Sequence, residues 1–298
     1  MRAIRTRTSL LLTLSLCAGA IGAQEAPPTE KPAPEAPAPR RAPEGSVIID
    51  LPSADVNPAG SLQLLFTHRF AGKVAGSNIH SLFSFDSGAD IGIGLSYAPV
   101  ANLEVGLLRG RSLEDYELSA KYRVFSTAGG TFATALRVGG NWRTQSTPNI
   151  CQGTPRPAPC SFTDHKNGVF AQAIAGVSLF GRVRVTVVPT YVSYAAQQPF
   201  VVTNSIHRDI FNVPVAVSIA VTRSINVQGE VVPQSGIGGA PGIGWIAAVE
   251  KTVLRHRFAF TIGNIRPTTV DQYIAPDFLG RPGDYYFGFN IVRLWKLK

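Results

Sequence analysis

From Gly60 onward, apolar side chains recur at every second position, and no segment of 11 or more residues follows the 3.6-residue period of a helix. In 211–222, Phe211, Val213, Val215, Val217, Ile219 and Val221 fall on one face, while Asn212, Pro214, Ala216, Ser218, Ala220 and Thr222 fall on the other. Ile91, Ile93, Leu95 and Tyr97 oppose Gly92, Gly94 and Ser96 in the same way, and Leu118, Ala120, Tyr122 and Val124 oppose Glu117, Ser119, Lys121 and Arg123. Successive strand side chains point to opposite faces, so each segment is oily on one side and small, polar or charged on the other. The body of the chain is therefore all-β.

About twelve such segments can be counted, near 60–70, 90–98, 103–109, 116–125, 131–141, 169–178, 183–194, 211–222, 225–232, 243–250, 256–263 and 285–295. If the first runs outward, the connections after even-numbered strands are all short: 99–102, 126–130, 179–182, 223–224 and 251–255. Those after odd-numbered strands are longer, at 71–89, 142–168, 195–210, 233–242 and 264–284, with 110–115 the brief one. An even strand count with short turns alternating with long loops is the layout of an antiparallel, up-and-down transmembrane β-barrel.

A soluble β-sandwich or lipocalin-like barrel alternates too, so composition has to separate the cases. Charged residues are only 16% of the chain, against about 25% in soluble domains. The polar faces are rich in Gly, Ala, Ser, Thr and Asn instead of the Lys, Glu and Asp expected of strands facing water. Aromatics gather near strand ends at Tyr97, Tyr122, Trp142, Tyr191, Trp245, Phe258 and Trp295, the placement of interfacial girdles. Beyond the first 23 residues no apolar run reaches the roughly 20 needed for a membrane-crossing helix. The net charge of +9 comes without a basic run interleaved with aromatics, so nucleic acid is not an expected partner.

The N-terminus reads as an export signal over 1–23: Arg2, Arg5 and Arg7, an apolar stretch from Leu10 to Leu16, then the small-residue exit Gly22-Ala23. Lipidation at Cys17 is disfavoured because Leu16 stands where a small residue is required. Residues 24–45 hold seven prolines and almost no large apolar side chain, which predicts an extended Pro/Ala-rich tether ahead of a barrel over 46–298. Whether 46–59, with Val47-Ile48-Ile49, adds a strand or plugs the barrel is open at this level.

His68-Arg69-Phe70, the stretch from Leu82 through Phe83-Ser84-Phe85-Asp86-Ser87-Gly88 to Tyr97, Leu103-Glu104-Val105-Gly106, Asp115-Tyr116-Glu117-Leu118, Lys121-Tyr122-Arg123 and the closing Tyr286-Phe287-Gly288-Phe289-Asn290 form a distinctive set. Together they resemble a family of membrane β-barrel proteins of Gram-negative bacteria, a domain of unknown function. The resemblance covers about 51–125 and the C-terminus. It implies residence in the outer-membrane lipid bilayer and delivery by the barrel-insertion machinery, and it implies no particular substrate. Where such proteins usually end on an aromatic residue, here Trp295 precedes Lys296-Leu297-Lys298.

Cys151 and Cys160 lie in the longest loop and, in an oxidising compartment, are expected to form a disulfide. Closing that loop contributes roughly 2.5–3 kcal/mol in the chain-entropy reading. His68, His80, His165, His207 and His256 form no metal-ligand spacing, and no G-x-S-x-G nucleophile motif is present. Neither a cofactor nor catalysis is therefore expected, with a barrel-embedded hydrolase the lesser alternative. The charges on the polar faces are Arg69, Glu117, Lys121, Arg123, Arg137, Arg184, Glu230, Glu250 and Arg257. An arginine facing lipid near the midplane costs about 2–4 kcal/mol, so alternation should turn these into the lumen. There they either pair into a salt-bridge plug or line a narrow passage for small polar or anionic solutes. The rival to a channel is a non-conducting structural or docking barrel.

Overall fold

A computed structural model of the chain describes residues 45–145, 167–195, 209–234, 242–275 and 283–297, with the backbone of 150–151 and 158–159. The expected signal (1–23), nearly all of the tether (24–44) and the Cys151–Cys160 pairing lie outside the described residues.

Twelve antiparallel strands close on themselves. They are β1 (Ser61–Phe70), β2 (Ala89–Val100), β3 (Leu103–Gly110), β4 (Asp115–Ser126), β5 (Phe132–Arg143), β6 (Asn167–Leu179), β7 (Val183–Val187 and Thr190–Ser193), β8 (Ile210–Asn212 and Val215–Ala220), β9 (Ile225–Gln234), β10 (Gly242–Val253), β11 (His256–Gly263) and β12 (Tyr286–Lys296). Each strand pairs with its sequence neighbours, and β1 closes on β12 with Thr67 opposite Asn290. Closure satisfies every edge, which a sheet surrounded by lipid requires because no water is there to bond free amides.

Two strands break at adjacent places for one reason. Pro189 in β7 and Pro214 in β8 have no N–H to give to the ladder. The neighbouring amides bond past them, Val188 N–H to the Pro214 carbonyl (2.8 Å) and Ala173 N–H to the Pro189 carbonyl (3.0 Å).

The expected faces are realised. Leu118, Val138, Trp142 and Phe211 stand on the outside, each at least 56% exposed, while Glu117, Gln172, Ser218 and Gln228 are buried inside. The oily stripes therefore point away from the protein and are not sandwiched between two sheets, which disposes of the sandwich alternative. Aromatics form two outer belts. Tyr97, Tyr122, Phe258 and Trp295 lie toward the short-turn end, and Trp142, Tyr191 and Trp245 toward the long-loop end. The connections at 101–102, 127–131, 180–182, 221–224 and 254–255 are the short ones, as expected.

Candidate functional site

Two segments that are not strands enter the lumen and meet there. The first precedes β1. Its Ser53 N–H bonds the Ser46 carbonyl (3.0 Å) and its Ile48 N–H the Leu51 carbonyl (2.9 Å), which folds 46–53 into a tight hairpin. Because β1 starts at the short-turn end, this hairpin reaches up from that end.

Charged side chains of the wall hold it. The carboxylate of Glu230, on β9, accepts the amide hydrogens of Ile49 (2.8 Å) and Leu51 (3.0 Å) at Oε1 and that of Asp50 at both oxygens (3.1 and 3.2 Å). Three successive N–H groups around one carboxylate form an anion nest that needs a tight turn at 49–51. Arg69 on β1 donates from Nη2 to both Asp50 oxygens (2.9 and 3.2 Å) and from Nη1 to Asn290 Oδ1 (2.6 Å). Asn290 Nδ2 in turn donates to the Ile49 carbonyl (2.9 Å). Lys121 Nζ, on β4, donates to the carbonyls of Ser46 (3.0 Å) and Asp55 (2.7 Å), and Arg184 Nη1, on β7, pairs with Asp55 Oδ2 (2.6 Å). Arg257 on β11 reaches the Val47 carbonyl (3.3 Å) and its wall neighbour Glu250 (3.3 Å). Burial pushes the Asp50 carboxyl above its ordinary range, against the pull of the Arg69 guanidinium.

The second insert is the connection between β11 and β12. Over 264–275 it turns back into the barrel from the long-loop end and carries a single-turn helix, α1 (Val270–Tyr273). Arg143 Nη1 pairs with Asp271 (2.6 Å), and Glu117 Oε2 accepts the Val270 amide (2.8 Å). Gln272 Nε2 donates to the Ser112 carbonyl (3.0 Å), and the Tyr273 hydroxyl accepts from Gln172 Nε2 (3.0 Å). Burial raises the Tyr273 phenol, so it stays neutral. Ile48, Ile49 and Leu51 of the hairpin join Val270, Tyr273 and Ile274 of the loop in one apolar cluster that also takes in Phe170, Ile210 and Ile246 of the wall. A cavity of about 80 Å³ remains between the two inserts, bordered by Val47, Pro52, Val270 and Tyr273 and by inward Leu65 and Leu108. It has room for a few waters.

The charges expected in the lumen thus divide by partner. Arg137 pairs with Glu117, and Arg257 with Glu250, along the wall. Arg69, Lys121, Arg184 and Glu230 are engaged by the hairpin. Arg123 has inward parity but lies at the short-turn end, where Nε and Nη2 donate to Asn102 Oδ1 (2.9 and 2.6 Å) and brace a turn residue with φ +69. It is a turn clamp, not part of the lumen cluster, because β3 begins at Leu103 opposite Tyr122, so Arg123 lies beside the turn and not beside a strand on that side. Asp50, Asp55, Arg143 and Asp271 were missed. Arg143 keeps the inward parity of β5 but lies two residues beyond the expected end of that strand, and Asp271 sits in a loop that carries no pattern, whereas Asp50 and Asp55 beside the apolar Val47-Ile48-Ile49 are a visible sign of a segment with both charged and buried contacts. Among the described residues, no group of three His, Cys, Asp or Glu is placed to hold a metal.

The profile of a membrane-bound β-barrel domain family (DUF5777) matches residues 44–295. Among solved structures the chain is similar to the outer-membrane expressed OmpT of Vibrio cholerae, at 16% identity and TM-score 0.38 over 68% of this chain and 64% of that one. It spans less than two thirds of that protein's length. It is also similar to the NanC porin (6% identity, TM-score 0.45, 80% of this chain and 99% of that one). A third is the COG4313 outer membrane channel from Pseudomonas putida F1 (11% identity, TM-score 0.46, 80% and 97%). A comparison with curated proteins gives no match.

Proposed function

This chain belongs to the family of membrane-bound β-barrel domains, and from that premise we propose that it is a gated, passive channel of the outer membrane, shut in the conformation described. The observation that carries this reading is the division of partners in the lumen. A barrel filled once and for all would pair its wall charges with each other, but Arg69, Arg184 and Glu230 spend theirs on a segment that is not part of the wall, and Lys121 divides its charge between that segment and Glu104 of the wall (3.9 Å). Withdrawal of 46–55 would leave Arg69, Lys121, Arg184 and Arg257 facing water against Glu104, Glu230 and Glu250. The surplus is positive and favours small polar or anionic solutes. Twelve strands enclose more room than the eight whose side chains fill a barrel and less than the sixteen of open porins, so the passage would be narrow. The reading assigns no covalent chemistry.

The test is planar-bilayer recording of the refolded full chain beside a variant lacking 46–57, each verified by a heat-modifiable gel band. The full chain is expected to stay shut with brief openings. The deletion variant is expected to conduct steadily, with a reversal potential in a KCl gradient displaced toward that of chloride. A folded deletion variant that does not conduct would remove the channel reading and leave the non-conducting docking barrel, for which the apolar cluster shared by hairpin, loop and wall speaks.

A further inference from the structure

The longest fully described loop at the long-loop end, 71–88, does not stand up into solvent. It bends over the outside of the barrel, where the ring of Phe85 stacks on Phe287 of β12 (centroids 5.3 Å apart, 7° between planes) and meets Phe70 edge-on (4.9 Å). Phe260 of β11 lies 6.5 Å from the same ring. Phe260 has outward parity and is 48% exposed, so Phe85 extends the wall's lipid-facing aromatic column. The loop is pinned in that position. Lys73 pairs with Asp284 (2.7 Å), Val74 N–H bonds the Tyr285 carbonyl (2.9 Å), and Ser84 Oγ donates to the Lys73 carbonyl (2.6 Å).

Beyond Phe85 the pinned loop presents Ile79, Leu82 and Phe83 at 63%, 54% and 49% exposure. Leu82, Phe83 and Ser84 all have left-handed φ values, +43, +53 and +75. Three non-glycine residues in succession there are disfavoured, and such a conformation persists only where the surroundings impose it. Among the described residues it leaves Leu82 and Phe83 uncovered. The turn nevertheless satisfies much of its own backbone. His80 N–H bonds Asn78 Oδ1 (2.9 Å), Ser81 and Phe83 N–H bond the Asn78 carbonyl (3.2 and 2.9 Å), and Phe85 N–H bonds the Leu82 carbonyl (3.1 Å). Internally bonded amides are what a segment needs to leave water. Its charged neighbours, Lys73 and Asp86, lie outside 79–85.

We propose that 79–85 is a lipid-inserted foot: Ile79, Leu82 and Phe83 sit among acyl chains just beneath the headgroups of the leaflet at the long-loop end. The occupant is acyl chain because the patch is continuous, through Phe85, with a wall that already faces acyl chain. Amphipathic elements of this kind bury their apolar side about 5–10 Å into the headgroup–acyl boundary.

The experiment uses the full chain carrying Phe83→Trp, reconstituted in phosphatidylcholine vesicles whose acyl chains are brominated near the carbonyl end or near the chain terminus. Wild-type protein supplies the background of Trp142, Trp245 and Trp295. The added emission is expected to be quenched by bromine, at least twofold more strongly at the shallow position than at the deep one. Added emission that is indifferent to brominated lipid overturns the proposal, whether the indole then lies in water or against a second copy of the chain. Diluting protein in lipid separates those two cases. Ile79→Trp serves as a second reporter should Phe83→Trp fail to give the heat-modifiable band, and the same two outcomes apply to it.

Discussion

With Glu230 replaced by alanine, amide hydrogen exchange in the 46–55 segment is expected to accelerate by roughly two orders of magnitude while the strands keep their protection. The carboxylate collects the N–H groups of Ile49, Asp50 and Leu51, and it is itself 2% exposed. A hydrogen bond to a charged group contributes about 1.5–3 kcal/mol. The three share one acceptor and do not add, so a net loss of about 3 kcal/mol, a factor of roughly 150 in the opening equilibrium, is the expected scale. Glu230→Gln keeps an acceptor oxygen and should fall between. Unchanged exchange at 49–51 in the alanine variant would mean that the apolar cluster, not the carboxylate, holds the hairpin. The same alanine variant should raise the open time in bilayer recordings if the hairpin is the gate.

Adjacent positions on β5 are expected to tolerate opposite chemistry. Arg137 points inward, pairs with Glu117, donates to Gln172 Oε1 (2.8 Å) and lies over the Phe170 ring (5.0 Å). Arg137→Leu leaves Glu117, at 1% side-chain exposure, without its cation, and breaking a buried pair from one side costs about 3–5 kcal/mol. Val138, the next residue, is 56% exposed on the outer face. Val138→Arg sets a guanidinium against lipid near the middle of the strand, at about 2–4 kcal/mol. Both losses should appear as lower urea midpoints for folding in lipid vesicles, followed by tryptophan emission. Arg137→Gln, which retains a donor, should lose less than Arg137→Leu. A wild-type midpoint for Val138→Arg would show that this face does not meet acyl chains.

Much of the architecture can be read along the chain because the rule behind it is local. A strand has a period of two whatever it pairs with, so Phe211 to Thr222 announces its two faces without help from the rest of the molecule. The cost of an arginine in lipid then turns inward the faces that carry Arg69, Arg137, Arg184 and Arg257, although Arg109 and Arg293 keep outward parity. The breaks at Pro189 and Pro214 have a local cause too, the missing N–H, although that they fall side by side appears only once β7 and β8 are paired.

The occupant of the lumen is another matter. Asp50 meets Arg69 across 19 residues and Ile49 meets Glu230 across 181, separations at which no periodicity carries information. Arg69 and Arg123 look alike in the sequence, each on an inward position of a strand. One binds the hairpin and the other clamps Asn102, because one stands inside the barrel and the other at its lower rim. Ile265, Val270 and Ile274 show no amphipathic pattern, since they are buried by a loop folding inward and not by a regular element. Alternation and charge thus determined that this chain makes a barrel with a polar inside. Only the closed barrel could decide what fills it, because the contacts that select the hairpin and the loop exist only after all twelve strands have brought their inner faces together.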